Sequence, residues 1–526
     1  MPRQSIRSIV LLAAVLLASL VPGVHARPAN AEPRTLFVVG MSAGLADHPV
    51  SGRLLVLLAR GANGEADERM LEPGFLDPES VFVTGVEVRN LEPGRTVEIR
   101  SDQLAFPRPL GDAPAGAYRA QAVLDVDHSY TYSGGGAGDL ASAIVPLATF
   151  DPAATAPTNL TLEHRAPDSP PADTPTVKLV TFVSPSLSAF WGRPITMRAA
   201  VVLPFDYAAS PAKRYPTVYR IHGYSGSHRR AWQQGPKLVA DQAKGVIPAM
   251  INVYLDGSCP MGHHEFADSA NNGPWGRALT TELIPYLEKH FRMDAVPRGR
   301  LLTGHSSGGW STLWLAITYP NVFGGTWSTS PDPVDFRDFT GIDLTRPETE
   351  NFFATSDGRE RNLVRFQGRD IMSVRQYALL ERVEGEYGGQ WGSFEAVFSP
   401  KGDDGRPMHL FDRDTGRIDP VVARSWEKFD IARVLRANWA RLGPRLKGRI
   451  HIIVGSADTF HLERAVYLLR DVLKELGSDA TIEVLEGRTH MDLYEGGLDE
   501  RIAREMYATA RPNARATGSS QKTHHR

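Results

Sequence analysis

Beyond Thr176 short apolar runs alternate with stretches of helical spacing, which commits that part of the chain to a mostly parallel sheet with helices on both faces. Before it, from Thr35 to about His164, the apolar residues fall only in short alternating runs, among them 53–58, 81–88, 96–100 and 118–125. Clusters of Gly, Pro and Asp separate these runs and no helical repeat is sustained, so residues 33–166 are expected to form an all-β, immunoglobulin-like sandwich. The change of period falls at 167–176, a stretch dense in Pro, Asp and Ser that reads as a linker. A second domain then runs over 177–511, interrupted at 332–447 by a segment long enough to cap a site.

With 526 residues, two cores rather than one are expected. Residues 1–31 read as a signal peptide: Arg3 and Arg7 precede an apolar stretch, and small residues follow, with cleavage after Ala26 or Ala31. A secreted or periplasmic protein is the expectation, with no membrane span once the signal is removed. Cys259 is the single cysteine, so no disulfide can form within the chain. The formal charge is −2, from 58 basic and 60 acidic side chains, which argues against nucleic acid as a partner and for a small-molecule substrate, uncharged or mildly polar. The polar, basic residues 512–526 are expected to be a disordered tail. Oligomeric state is not legible.

Gly304-His305-Ser306-Ser307-Gly308 fits G-x-S-x-G, the turn that lifts a nucleophilic serine between a strand and a helix. Gly40-Met41-Ser42-Ala43-Gly44 fits it too, but lies in the strand-rich region, whereas Ser306 has an apolar strand before it and helical spacing after. A serine that attacks a carbonyl needs donors for the oxyanion. The amide of Ser307 heads the following helix, and the loop His222-Gly223-Tyr224-Ser225-Gly226 offers the amide of Tyr224. The base must be an imidazole held by a carboxylate. His490 and Asp458 each follow a late apolar strand, in the chain order Ser, acid, His. Asp332, after an earlier strand, is the competing acid. His222, His305 and His461 read as packing or site-wall residues. Trp310, Trp275 and His305 are expected to touch substrate, a small-molecule or carbohydrate ester. His263, His264, Glu265 and Asp268 lack the H-E-x-x-H spacing, so neither metal nor cofactor is expected.

These residues, with Asp268-Ser269-Ala270-Asn271-Asn272-Gly273 leading into Glu282-Leu283-Ile284-Pro285-Tyr286 and with Gly487-Arg488-Thr489-His490, resemble the esterase family of α/β-hydrolases that includes esterase D, feruloyl esterases and enterochelin esterases. The resemblance runs from about Val177 to Ala510. It implies a Ser306-Asp458-His490 triad, no cofactor, and hydrolysis of carboxylic esters through an acyl-enzyme. An acyltransferase using the same triad, and a non-catalytic secreted carbohydrate-binding protein, are the rival expectations.

Overall fold

The computed structural model describes residues 32–61, 71, 73–126, 136–167, 171–385 and 388–513. The expected signal peptide and all but the start of the expected tail lie outside these residues.

Among the described residues nine strands build the amino-terminal domain, and their ladders join into one sheet rather than two separate ones, with Val145–Phe150 paired beside the main path. The strand Gly116–Asp125 is the reason. It pairs with Val50–Arg60 on one side, and on the other with two short strands, Leu140–Ser142 and Val145–Phe150, at its two ends. Thr35–Met41 and Thr158–Arg165 run parallel beside each other, and the latter continues the path through Leu140–Ser142. Phe37, Leu54, Val56, Leu58, Phe82, Tyr118 and Phe150 fill the core of this domain.

Val50–Arg60 carries the continuous run Leu54-Leu55-Val56-Leu57-Leu58, which is apolar on both faces of the strand. Its second face has a partner: Leu55, Leu57 and Ala59 join a cluster with Val374, Leu380 and Val383 of the carboxy-terminal domain. The guanidinium of Arg53 donates from Nε and Nη2 to the Val383 carbonyl at 3.0 and 2.7 Å, and from Nη2 to that of Arg382 at 3.2 Å. These are last-turn carbonyls of the helix Val374–Glu384, which have no partner within the helix and sit at its negative end. The two domains therefore share a core and a helix cap.

The second domain is built on eight strands which, numbered in chain order, lie 1-2-4-3-5-6-7-8. The second, Thr196–Val202, is antiparallel to both neighbours, and the inner strands pair in parallel. This is the α/β-hydrolase arrangement. The strand before Asp332 is Gly325–Thr329, and the helix Trp275–Ala278 passes through a π-turn at Leu279–Leu283 into Ile284–His290.

The interrupting segment is a packed cap. It holds the hairpin of Asn362–Phe366 with Arg369–Ser373, then the helices Val374–Glu384, Gln390–Phe398, Pro420–Trp426 and Ile431–Leu446. The hairpin precedes the first helix, and two of these helices are too short to show a period in the sequence. Phe336, Phe339, Trp391, Phe394, Phe398 and Trp426 form its aromatic centre, joined to Trp310 and Leu313 on the helix after the elbow.

Gly85 tests the domain contact. A Cβ there would lie 2.1 Å from the Val383 carbonyl oxygen, so Gly85→Ala must push the β-domain off the cap and is expected to cost roughly 1–3 kcal/mol. Thermal unfolding of the variant should show a lowered midpoint, and an unchanged one would mean that the two domains are not held in this contact.

Candidate active site

The five segments singled out in the sequence converge at the carboxyl ends of parallel strands, where the loops of an open α/β sheet meet. Thr217–Ile221 delivers the His222–Gly226 loop, Arg300–His305 delivers Ser306, and Gly325–Thr329 delivers Asp332. Ile450–Gly455 delivers Asp458, and Thr481–Leu485 delivers His490.

Ser306 has φ 59° and ψ −125°, a strained backbone for a residue with a side chain. It sits between strand and helix because its neighbours allow close approach. A Cβ on Gly304 would meet the Gly308 carbonyl oxygen at 2.2 Å, and one on Gly308 would meet that of Ile221 at 2.1 Å. The amide of Ser307 is the first of the helix Ser307–Thr318, where no carbonyl one turn back exists within the helix. Gly223 backs onto the elbow: its missing Cβ would be 3.1 Å from that of Ser306, which places the His222–Gly226 loop directly beside the serine.

His490 Nδ1 pairs with Asp458 Oδ2 at 2.8 Å. Asp458 is fully buried, and its other oxygen accepts from the amides of Phe460 at 2.9 Å and Leu462 at 3.4 Å. Burial works to raise the Asp458 pKa, but the charge and hydrogen bond of His490 and the Phe460 amide outweigh it and hold the carboxylate below its ordinary value. With Nδ1–H spent on Asp458, Nε2 is left as the basic nitrogen. The imidazole ring lies 4.3 Å from that of His305, the residue before the nucleophile, and 5.0 Å edge-on from Phe460. His490 and Ser306 line one cavity of about 880 Å³.

The Ser306 hydroxyl itself donates to Asp332, Oγ to Oδ1 at 3.3 Å, and not to His490. Asp332 Oδ2 accepts from the Ser307 hydroxyl at 2.6 Å and from Gln390 Nε2 at 3.3 Å. Asp332 is thus a neighbour of Ser306, whereas the imidazole of His490 is paired with Asp458. Behind it lies a second buried acid, Glu265. The Ser311 hydroxyl is 2.6 Å from Glu265 Oε2 and 2.7 Å from the Ser307 carbonyl oxygen. With one hydrogen to give, it serves both when Glu265 is protonated. Burial favours that state, pushing Glu265 well above the usual carboxylate range.

His305 lines the cavity, held by Nδ1 against Thr329 Oγ1 at 3.1 Å. Burial, then the nearness of His490, lowers its pKa to about 3, so it stays neutral. Tyr224 lines the cavity as well, and its hydroxyl donates to the Gly388 carbonyl of the cap at 2.8 Å. Two expected substrate contacts are corrected. Trp310 is 1% exposed and is packed between Trp314 and Phe398, with ring centroids 5.2 and 5.1 Å away, because the cap covers its helix face. Trp275 stacks on His264 at 3.7 Å and donates Nε1–H to the Asn272 carbonyl, in the other core of the domain. Neither lines the cavity. His263, His264 and Glu265 are buried, and among the described residues no group of three or more His, Cys, Asp or Glu is arranged to hold a metal ion.

Sequence reasoning passed over Gln390, Phe460 and Tyr494, which carry no motif, and weighed Glu265 only as a metal ligand. It also passed over Asp256, which braces the His222–Gly226 loop from behind. Asp256 lies 3.1 Å from His228, 3.7 Å from His222 and 3.2 Å from Arg198, while His222 Nε2 accepts from the Gly257 amide at 2.8 Å. The second G-x-S-x-G serine, Ser42, does not line this cavity, and its amide is bonded to the Leu162 carbonyl of the β-domain.

Burial, and then the cost of ionising beside Glu265, raise Asp332 from 3.8 to about 7, against the hydrogen bond from Ser307 and the charges of His490 and His263. On unfolding the group returns toward 3.8, so between the two values the folded chain keeps a proton that the unfolded chain has lost. The stability this contributes is present below the lower value and is lost as pH rises through the upper one. Asp332→Asn has no such proton, so in urea titrations at pH 5 and pH 8 its stability relative to wild type should rise with pH. A constant difference would show that Asp332 titrates normally.

Residues 188–415 match the family model Esterase, described as "Putative esterase". That segment contains the oxyanion loop, the elbow and Asp332, and ends before Asp458 and His490. Solved structures to which this chain is similar include a ferulic acid esterase, at 14% identity over 63% of this chain and 98% of that one with a TM-score of 0.40. An S-formylglutathione hydrolase from Agrobacterium tumefaciens is 15% identical over 63% of this chain and 94% of its own, with a TM-score of 0.39. A ferulic acid esterase from Anaeromyces mucronatus is 14% identical over 64% and 92%, with a TM-score of 0.34. The match to the esterase family model thus falls on the segment that carries the Gly304–Gly308 elbow.

Proposed function

We propose that this protein is a serine esterase in which Ser306 is the nucleophile, His490 the general base and acid, and Asp458 the carboxylate that orients it. The pairing of His490 with Asp458 in the cavity that holds the strained Ser306 carries this reading. In the resting arrangement the serine hydroxyl rests on Asp332. Rotation about its Cα–Cβ bond turns it toward Nε2 of His490. Ser306 Oγ then attacks the ester carbonyl carbon while its proton passes to Nε2. The carbonyl oxygen takes up negative charge facing the amides of Ser307 and Tyr224, which gives those donors more to bind in the transition state than in the substrate. Collapse expels the alcohol, protonated by His490, and leaves an acyl group on Ser306. Water attacks the acyl carbonyl in turn, its proton going to Nε2; the second tetrahedral intermediate then breaks its bond to Ser306 Oγ, which takes that proton back, and the free acid departs.

Export belongs to the same proposal. It rests on the charged start, apolar stretch and small residues of 1–31. The β-domain is read as an immunoglobulin-like module fixed to the catalytic domain through Arg53 and the Leu55–Leu57 face.

Two measurements test the assignment. A fluorophosphonate should label wild type and leave Ser306→Ala unlabelled, and equal labelling of both would end the proposal. In p-nitrophenyl acetate hydrolysis, Asp458→Asn should lower kcat by roughly 10³–10⁴-fold, since the imidazole then loses its tautomer. Asp332→Asn should lower it by no more than about tenfold, as expected for losing one neutral hydrogen bond near the nucleophile. The opposite order would make Asp332 the triad acid.

A further inference from the structure

One wall of the cavity comes from outside the catalytic domain. Phe75 sits in the β-domain, in the turn closed by the Gly74–Asp77 bridge between the strands Val50–Arg60 and Val81–Leu91. It takes no part in the core of its own domain and packs instead on the cluster shared with the cap. Its ring lies 5.9 Å from that of Phe460, which in turn meets the His490 ring at 5.0 Å. Phe75 therefore reaches the catalytic imidazole through a single intervening side chain.

The cavity lining divides by element. Phe75, Leu363, Tyr377, Trp391, Phe394 and Phe460, from the β-domain, the cap and the loop after Asp458, give it an apolar set. Arg230, Gln233, Gln234 and Lys237, on the helix Arg230–Ala243, give it a polar one. A half-buried phenylalanine at a turn tip, placed against a cavity that stays open, leaves apolar surface in water unless something apolar fills the space. We infer that Phe75 is a specificity-determining residue: the β-domain completes the apolar end of the substrate site, and the Phe75 ring sets the size of the apolar group an ester can place there. The inference rests on the esterase reading above, and it names the substrate class as esters with one bulky apolar substituent.

A residue that only glued the domains together would change stability and leave the preference for substrate length untouched. The full-length enzyme with Phe75→Trp and Phe75→Ala is assayed on p-nitrophenyl acetate and p-nitrophenyl hexanoate. Phe75→Trp should lower kcat/KM for hexanoate roughly tenfold, the scale of a misfit of a methylene or two, with acetate changed less than twofold. Phe75→Ala should shift the hexanoate-to-acetate ratio through KM, with kcat on acetate retained. Calorimetric titration of p-nitrophenyl hexanoate into Ser306→Ala, with and without Phe75→Trp, reads binding apart from turnover, and the tryptophan should weaken it by a similar factor. A length preference and binding unchanged in both variants would overturn the inference and leave the esterase standing. Hexanoate binding that depends on Phe75 in a protein that hydrolyses neither ester would support the wall and sink the esterase reading instead.

Discussion

Everything in the site is measured from the backbone packing at Gly304 and Gly308, where the helix after Ser306 comes so close to the strand Thr217–Ile221 that neither glycine has room for a Cβ. That approach forces Ser306 to a positive φ and raises its hydroxyl into the cavity. It sets the Ser307 amide at the head of a helix and brings the His222–Gly226 loop against the nucleophile. Strain of this kind costs of order 1–3 kcal/mol and persists only where surrounding structure over-determines it. Here the parallel ladders on either side of Arg300–His305 and the buried face of Ser307–Thr318 supply that restraint.

Much of this was legible in the sequence because it is local. The elbow, the order of serine, acid and histidine, and the change of period near residue 170 are statements about neighbours along the chain. Asp458 and His490 could be named because each follows a strand, and strand ends converge in an open parallel sheet. Trp310 and Trp275 show the limit of the same logic. Closeness to a motif in sequence was taken for closeness in space, but a cap that covers the helix face beyond Ser306 buries Trp310, and His264 claims the face of Trp275. Phe75 and Gln390 were invisible for the complementary reason. They approach from distant segments, and no spacing records a contact made across domains. One signal was present and went unused: the run Leu54–Leu58 is apolar at every position, which marks a strand buried on both faces and so a β-domain with a partner.

The buried acids behind the elbow give Ser306 a polar floor. Glu265, pushed well above the usual carboxylate range by burial, holds the Ser311 hydroxyl, and Asp332, raised to about 7, holds those of Ser307 and Ser306. Two nearby carboxyl groups in an apolar setting resist ionising together. The site thus separates its acids by environment: Asp458, with two backbone amides and an imidazole to bind its charge, stays ionised, while the Asp332–Glu265 pair is short of such donors and shares the burden with hydroxyls. Of the three acids, Asp458 is the one that touches His490.

The central claim is that acyl transfer passes through the oxygen of Ser306. Rapid acid quench of the wild-type enzyme turning over p-nitrophenyl hexanoate, followed by digestion and mass spectrometry, tests it directly. A hexanoyl adduct confined to the peptide bearing Ser306, appearing at the rate of the first nitrophenol release, is the predicted result. Turnover with no adduct on that peptide, or with the acyl group on another residue, would contradict it.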